Sequence, residues 1–327
     1  MRRRILSSVR PLASLLVVLA GCAWNADVGV TTSGVATAPG VECPGPPPGT
    51  RGAFRHAGSR LFAAMGEPRH RGIDLIAVDG DARQTLGGKL AYTAADKDIE
   101  DEDVEVYACV SLGWERLGRT RTGSDGRFEL VLEGDSRLPA GMRELAAYVP
   151  GDGTNVRFLA YVAAPTTRAI VTDVDGTLSE SEEAIFNTVV FGDDIAHQPD
   201  APAVLATAGR PIIYLTARGD QFTEVTRLWL RVHGFPRGPL RLATAAITPP
   251  GPRTVEVKAR ALRELAIPIV AAIGNRATDV DAYARAGLPS DRIFVKLPEF
   301  TDELRGDLTA RRAIGFAQYR ELAPLLP

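Results

Sequence analysis

The chain has 327 residues, 45% of them apolar and 24% charged, with a formal net charge of −2. That length fits about two domains with appendages, and the composition is that of a globular protein rather than a disordered or fibrous one. The near-balanced charge excludes the overall basic character of a nucleic-acid binder. None of the three cysteines, Cys22, Cys43 and Cys109, has metal-site spacing.

Residues 1–21 read as a targeting segment. Met1-Arg2-Arg3-Arg4 is a basic n-region, and residues 11–20, PLASLLVVLA, form an apolar run too short for a membrane span. The run ends in Leu19-Ala20-Gly21-Cys22, which resembles a bacterial lipoprotein box. The resemblance implies a diacylated Cys22 as first residue of an exported, membrane-anchored protein on the periplasmic or cell-surface side. Two or three acyl chains anchor stably where one does not. Loss of residues 1–21 removes Arg2, Arg3, Arg4 and Arg10 and leaves a net charge of about −6. Export implies an oxidising compartment, in which Cys43 and Cys109 pair or remain thiols. Cys109 lies in an apolar strand pattern and suits a core position equally well.

Residues 22–55 are rich in Gly, Pro, Thr and Ser and include PGPPPG at 44–49. Such a composition buries no core and reads as a tether. Residues 56–84 give only a weak expectation of strand and loop. From about 86 to 164 the apolar period is two. Val104, Val106, Ala108 and Val110 alternate with Glu105, Tyr107 and Cys109, and Phe128, Leu130 and Leu132 form a second such series. Ser124-Asp125-Gly126 is a turn signal between them, and 144–149 and 156–163 are further strand candidates. Short strands with turns predict a small all-β sandwich, immunoglobulin-like in size, over 56–165. The acidic run at 96–103, DKDIEDED, is expected to be a solvated loop, with cation binding as the alternative.

From 166 to 327 the pattern becomes strand, then helix, repeated. Strands are predicted at 169–173, 211–216, 240–243, 269–274 and 292–296. Helices are predicted at 221–233, 255–266 and 279–286. The alternation implies an α/β domain with a parallel sheet covered on both faces. In such sheets the site lies beyond the carboxyl ends of the strands. Four stretches fall there: Asp173-Val174-Asp175-Gly176-Thr177, Leu215-Thr216-Ala217-Arg218, Lys258, and Gly274-Asn275-Arg276-Ala277-Thr278-Asp279. Each alone has a structural explanation as a turn, a strand-end hydroxyl, a solvated lysine or a charge at a helix N-terminus. An EF-hand reading of DVDGTLSE fails, because the glycine comes too early. No P-loop is present, and the four histidines lack a nucleophile-elbow context.

In this order the four stretches resemble the haloacid-dehalogenase-like phosphatases. The resemblance implies that Asp173 attacks phosphorus and that Asp175 protonates the leaving oxygen and later takes a proton from water. Thr216 and Lys258 would hold the transferring oxygens. Gly176, Thr177, Ala217 and Arg218 would bind substrate, Gly176 by close backbone approach. Asp173, the carbonyl of Asp175, Asn275 and Asp279 would hold a hard cation, and all-oxygen ligands indicate Mg2+.

A closer resemblance covers roughly residues 169–298. IIYLTAR at 212–218, TRLWL at 226–230, Gly238-Pro239-Leu240, GNRATDVDAYARAGL at 274–288 and RIF at 292–294 look like the catalytic domain of lipins. It implies a Rossmannoid parallel sheet with little or no cap, beside an immunoglobulin-like domain. It also implies a membrane-tethered, Mg2+-dependent phosphatase of a lipid phosphate, phosphatidate first. Relatives that bind phosphatidate without turnover lack the second aspartate, which is present here as Asp175. Two departures stand out: no N-terminal amphipathic helix is found, and Gly219-Asp220 follows Arg218. Three other readings stay open: a phosphatase of a soluble phosphomonoester, a lipid-phosphate-binding module without turnover, and a structural lipoprotein. Arg218, Arg227, Arg231, Arg237, Arg241 and Arg276 either face anionic head groups or scatter over the surface. No nucleic-acid partner is implied.

Overall fold

A computed structural model describes residues 42–181, 195–243 and 252–327. Residues 1–21, Cys22 and the first part of the expected tether lie outside the described residues. No helix among the described residues is long and apolar enough to cross a membrane.

The first layer pair is a β-sandwich. In chain order its strands are β1 (Arg71–Ile73), β2 (Leu75–Val78), β3 (Arg83–Lys89), β4 (Ala91–Tyr92), β5 (Lys97–Asp98), β6 (Asp103–Val110), β7 (Gly113–Arg121), β8 (Arg127–Glu133), β9 (Gly141–Tyr148) and β10 (Asn155–Ala163). One sheet has the order β1-β3-β8 and the other β2-β10-β9-β6-β7, with β4 and β5 as a small ribbon. Alternation along β6 and β10 sends Val104, Val106, Ala108, Val156, Phe158, Ala160 and Val162 into the sandwich core, where they meet Leu86, Phe128 and Leu132. Full burial of the valine, leucine and phenylalanine side chains among them stabilises by ~1.5–3 kcal/mol each.

The outward face of β6 is buried too: Glu105, Tyr107 and Cys109 are each below 9% exposed. Residues 42–55, expected as tether, cover that face. Cys43 is disulfide-bonded to Cys109 with Cα atoms 5.5 Å apart. Arg157 donates to the Cys43 carbonyl at 3.1 Å and Trp114 Nε1 to the Gly45 carbonyl at 3.1 Å. Composition indicated that this segment builds no core of its own; the cross-link and these donors hold it on someone else's. Replacing both cysteines by alanine is expected to lower unfolding stability by about 2–4 kcal/mol, since the bridge closes a 66-residue separation. Urea denaturation of the oxidised protein and the double variant reads this directly, and equal midpoints would refute it.

Residues 57–65 form a helix, α1 (Ala57–Met65), where strand and loop were expected. The acidic run is not a solvated loop. Asp96 meets Arg71 and Lys89, Asp98 meets Lys89, Asp101 meets Arg55, and Asp103 meets Arg119 and Arg121. The buried Glu102 carboxylate accepts the backbone N–H groups of Arg55 and His56, both at 2.9 Å. Cations on neighbouring strands, invisible to a local reading, neutralise the run.

The second layer set is a six-stranded parallel sheet: β11 (Ala169–Thr172), β12 (Ile212–Gly219), β13 (Leu240–Ala243), β14 (Ile269–Gly274), β15 (Ile293–Lys296) and β16 (Ile314–Phe316). Its order is β13-β12-β11-β14-β15-β16. The helices are α2 (Ala201–Thr207), α3 (Thr223–Val232), α4 (Pro252–Arg263), α5 (Ala277–Arg285), α6 (Thr301–Thr309) and α7 (Tyr319–Leu322). Ile170, Tyr214 and Ile273 join one core with Trp229 and Phe294. Val171, Ile213 and Ala272 join the other, which continues into Ile76, Tyr161 and Ala163 of the sandwich. The two layer sets therefore share an apolar junction, and β11 follows β10 after five residues. The central strand β11 thus ends at the carboxyl edge of the parallel sheet, where β12 and β14 flank it.

Candidate active site

Asp173 directly follows β11 and keeps the sheet pattern, its N–H donating to the Ile273 carbonyl at 2.9 Å. The turn that follows requires Gly176 at φ +65°, where a Cβ would collide with the Asn275 amide. The Gly176 N–H donates to Ser179 Oγ at 3.0 Å. Thr177 Oγ1 lies 3.3 Å from Asp173 Oδ2, and Tyr319 donates its hydroxyl to the Thr177 carbonyl at 2.9 Å.

Lys258, on α4, reaches both acidic ends of the site. Its Nζ donates to Asp173 Oδ1 at 2.8 Å and to Asp279 Oδ1 at 2.6 Å. Asp279 caps the start of α5 with its other oxygen, accepting the N–H groups of Asn275 at 3.0 Å and Arg276 at 3.1 Å. Gly274 permits this close return, because a Cβ there would strike the Asp279 side chain. Burial pushes the Asp173 carboxyl up to about 6, with Lys258 pulling down and Asp279 adding to the rise. Burial also opposes the Lys258 ammonium, but the two carboxylates outweigh it and hold it above its ordinary value. The cluster carries two carboxylates against one ammonium.

Asp175 sits in a separate network. Thr216 Oγ1 donates to its Oδ2 at 3.0 Å, and Arg218 grips the same carboxylate with Nε at 2.7 Å and a second nitrogen on Oδ1. Arg218 also reaches Thr226 Oγ1 on α3 at 3.2 Å. The resemblance placed Thr216 on the transferring oxygens and Arg218 on substrate. Here both are directed at Asp175, because a carboxylate this shallowly exposed needs donors and the fork of Arg218 matches it. Ala217 lies half-buried between them.

The expected cation ligands can be tested against this geometry. Among the described residues no three His, Cys, Asp or Glu side chains gather as a metal site. Amide and carbonyl oxygens extend the donor set, however. Asn275 is 1% exposed, and both its Oδ1 and Nδ2 are buried without a hydrogen-bond partner. A buried orphan amide beside a cluster with surplus negative charge fits a hard cation.

Five of the six arginines are engaged within the protein: Arg227 pairs with Asp74, Arg237 with Glu42 and Arg276 with Glu303, Arg241 donates to the Asp74 carbonyl, and Arg218 holds Asp175, while Arg231 is exposed. Sequence reasoning missed Ser179 and Tyr319, and marked Asp220 only as a departure from the lipin pattern after Arg218. Only Ser179 had a local signal, a hydroxyl three residues after the turn glycine.

A parallel α/β sheet with an Asp-x-Asp turn after its central strand, a threonine near the carboxyl end of the neighbouring strand, a helical lysine and an aspartate capping the next helix define a haloacid-dehalogenase-like domain of the lipin type, following a β-sandwich in the chain. Residues 170–296 match the family described as the LNS2 domain of PITM 1-3. Residues 68–162 match the beta-sandwich domain of PITM 1-3. The chain is 28% identical over 233 residues to membrane-associated phosphatidylinositol transfer protein 3 of Homo sapiens, covering 69% of this chain and 23% of that protein. It is 29% identical over 180 residues to the phosphatidate phosphatase LPIN2 of Mus musculus, covering 49% of this chain and 20% of that protein. The chain thus spans a quarter or less of the length of these relatives.

Proposed function

We propose that the protein is a phosphatase that hydrolyses a lipid phosphate, phosphatidate first, through a phosphorylated Asp173. The observation that carries this reading is Asp175: an intact second carboxylate two residues after Asp173, oriented by Thr216 and Arg218. An Asp173 oxygen attacks phosphorus as the bond to the leaving oxygen breaks, and Asp175 gives that oxygen its proton. Asp175 then takes a proton from water as water attacks the aspartyl-phosphate, releasing inorganic phosphate and restoring Asp173. Lys258 neutralises charge on the transferring oxygens. Mg2+, held by Asp173, the Asp175 carbonyl, Asn275 and Asp279, would supply further charge neutralisation. We further propose that an acylated Cys22 anchors the chain on an exported membrane face, so that substrate arrives from a lipid surface.

Full-length protein in detergent micelles is offered phosphatidate and a soluble phosphomonoester, with Mg2+ or with chelator. Magnesium-dependent phosphate release from phosphatidate is the expected result. Release from the soluble ester alone would keep the mechanism and discard the lipid. Millimolar Mg2+ should also raise the melting temperature, by mass action on the folded state, and Asn275→Ala should shrink that rise.

A second reading has an observation of its own. The transfer protein aligns with 69% of this chain, the phosphatidate phosphatase with 49%. Binding to phosphatidate vesicles without release of phosphate would favour a lipid-phosphate-binding module.

A further inference from the structure

The strand that carries Thr216 and Arg218 is irregular where it matters. Leu215 pairs with Arg241 and Gly219 with Ala243, so residues 216–218 face Leu242 alone. A bulge bends the strand and leaves its extra residues without ladder partners. Something must fix its shape if two of its side chains are to meet one carboxylate. On one side the ladder at Leu215 does so. On the other stands Asp220, 8% exposed, which opens the short turn Asp220–Phe222 leading into α3.

The partners of Asp220 come from the sandwich. Its Oδ1 lies 2.9 Å from Arg71 Nε and its Oδ2 2.6 Å from an Arg127 nitrogen. Arg71, Lys89 and Arg127 stand in one register row across β1, β3 and β8. Three like charges abreast repel. Asp96 and Asp98 of the acidic run neutralise part of the row, with Arg71 bound to Asp96 at 2.6 and 2.7 Å. Asp220 supplies a further carboxylate, from the other layer set. Thr223 Oγ1 donates to the Asp220 carbonyl at 2.7 Å, which ties the same turn to the start of α3. Thr226, the second contact of Arg218, lies on that helix.

We propose that Asp220, clamped by Arg71 and Arg127, is a positioning residue that holds the Thr216–Arg218 bulge on Asp175, so that the sandwich completes the active site. The inference rests on the phosphatase reading for its kinetic consequence, and not for its structural one.

The test uses the full chain in detergent micelles, with phosphatidate and a soluble phosphomonoester assayed side by side. Asp220→Asn keeps size and loses charge. It should lower kcat by ~10- to 100-fold, the scale of a misplaced catalytic group, with KM changed less than threefold. Asp220→Glu should recover most of kcat. In an Arg218→Lys background, Asp220→Asn should change kcat less than threefold, because both act through one contact. An undiminished further loss in that background would overturn the proposal, as would an unchanged kcat in Asp220→Asn. Arg127→Gln, at a 30% exposed side chain, is the milder variant and should show the same pattern at smaller size. Hydrogen exchange without substrate gives an independent arm. The amides of 216–219 should exchange at least tenfold faster in Asp220→Asn, with β6 unchanged. Equal exchange would overturn the clamp even if no ester is turned over, and absence of turnover in the unaltered protein would count against the phosphatase reading alone.

Discussion

Asp173→Asn is expected to lower kcat by ~10^4-fold or more without lowering the melting temperature of the metal-free protein. Removal of a covalent nucleophile costs on the order of 10^4–10^6 in rate when nothing else can attack. Stability behaves differently because the native carboxylate is in an unfavourable place. Burial raises its folded pKa from 3.8 to about 6. A raised acid contributes stability that is fully present below about 3.8 and lost as pH rises through about 6. At neutral pH the ionised group therefore weakens the metal-free fold, and a neutral isostere removes that burden. Lys258 keeps Asp279 as partner at 2.6 Å. Between about pH 4 and 6 the native metal-free protein should lose stability relative to Asp173→Asn, a difference that leaves out the opposite contribution of the buried His70, which both proteins share. Phosphate release and thermal melts over that range decide the matter. Turnover above a hundredth of the native rate would remove Asp173 as nucleophile, and a lower melting temperature at neutral pH would show that the ion pair outweighs burial.

The second large effect belongs to Asp74, whose side chain is fully buried where β1 passes into β2. Its carboxylate accepts from Arg227 at 2.9 and 3.2 Å, from the Leu240 N–H at 2.7 Å and from the Leu159 N–H at 2.7 Å. One side chain thus joins the sandwich strand β10 to α3 and β13 of the parallel sheet. Asp74→Ala strands a largely buried guanidinium and two buried N–H groups. Breaking such a pair from one side costs about 3–5 kcal/mol, on the order of 10 °C in melting temperature. Asp74→Asn keeps an acceptor and should fall between. Arg260→Ala serves as contrast, because its pairing with Glu264 joins side chains 62% and 69% exposed and surface pairs contribute little. A melting temperature for Asp74→Ala no lower than for Arg260→Ala would mean that the apolar junction alone holds the two layer sets.

The parallel strands were readable almost to the residue. Those at 240–243 and 269–274 appear with the expected limits. Uninterrupted apolar runs bounded by turn residues carry that information locally. The sixth strand escaped notice because Ile314–Phe316 is three residues long and two of them are exposed. α1, α2, α6 and α7 were missed as well; each is at most nine residues long, and the nine-residue α5 was read from Thr278 at its start and Gly287-Leu288-Pro289 beyond its end. β12 was read as ending at Thr216, where its ladder fails, yet it runs through the bulge to Gly219.

The order of aspartates, threonine and lysine along the chain was enough to place a haloacid-dehalogenase-like site, because Asp173 and Thr216 stand one or two positions beyond apolar runs, such runs make parallel strands with a common carboxyl edge, and α4 brings Lys258 to that edge. What each charged group touches was decided by topology. Asp175 meets Arg218 across 43 residues, Arg127 meets Asp220 across 93, and Asp74 meets Arg227 across 153. Local propensity reaches one or two helical turns, whereas an ion pair needs only that the fold bring two charges within about 4 Å in a place where water no longer screens them. For that reason the chemistry of this chain is written in its motifs, and the orientation of that chemistry by Arg218, Asp220 and the sandwich exists only once the sheets have packed.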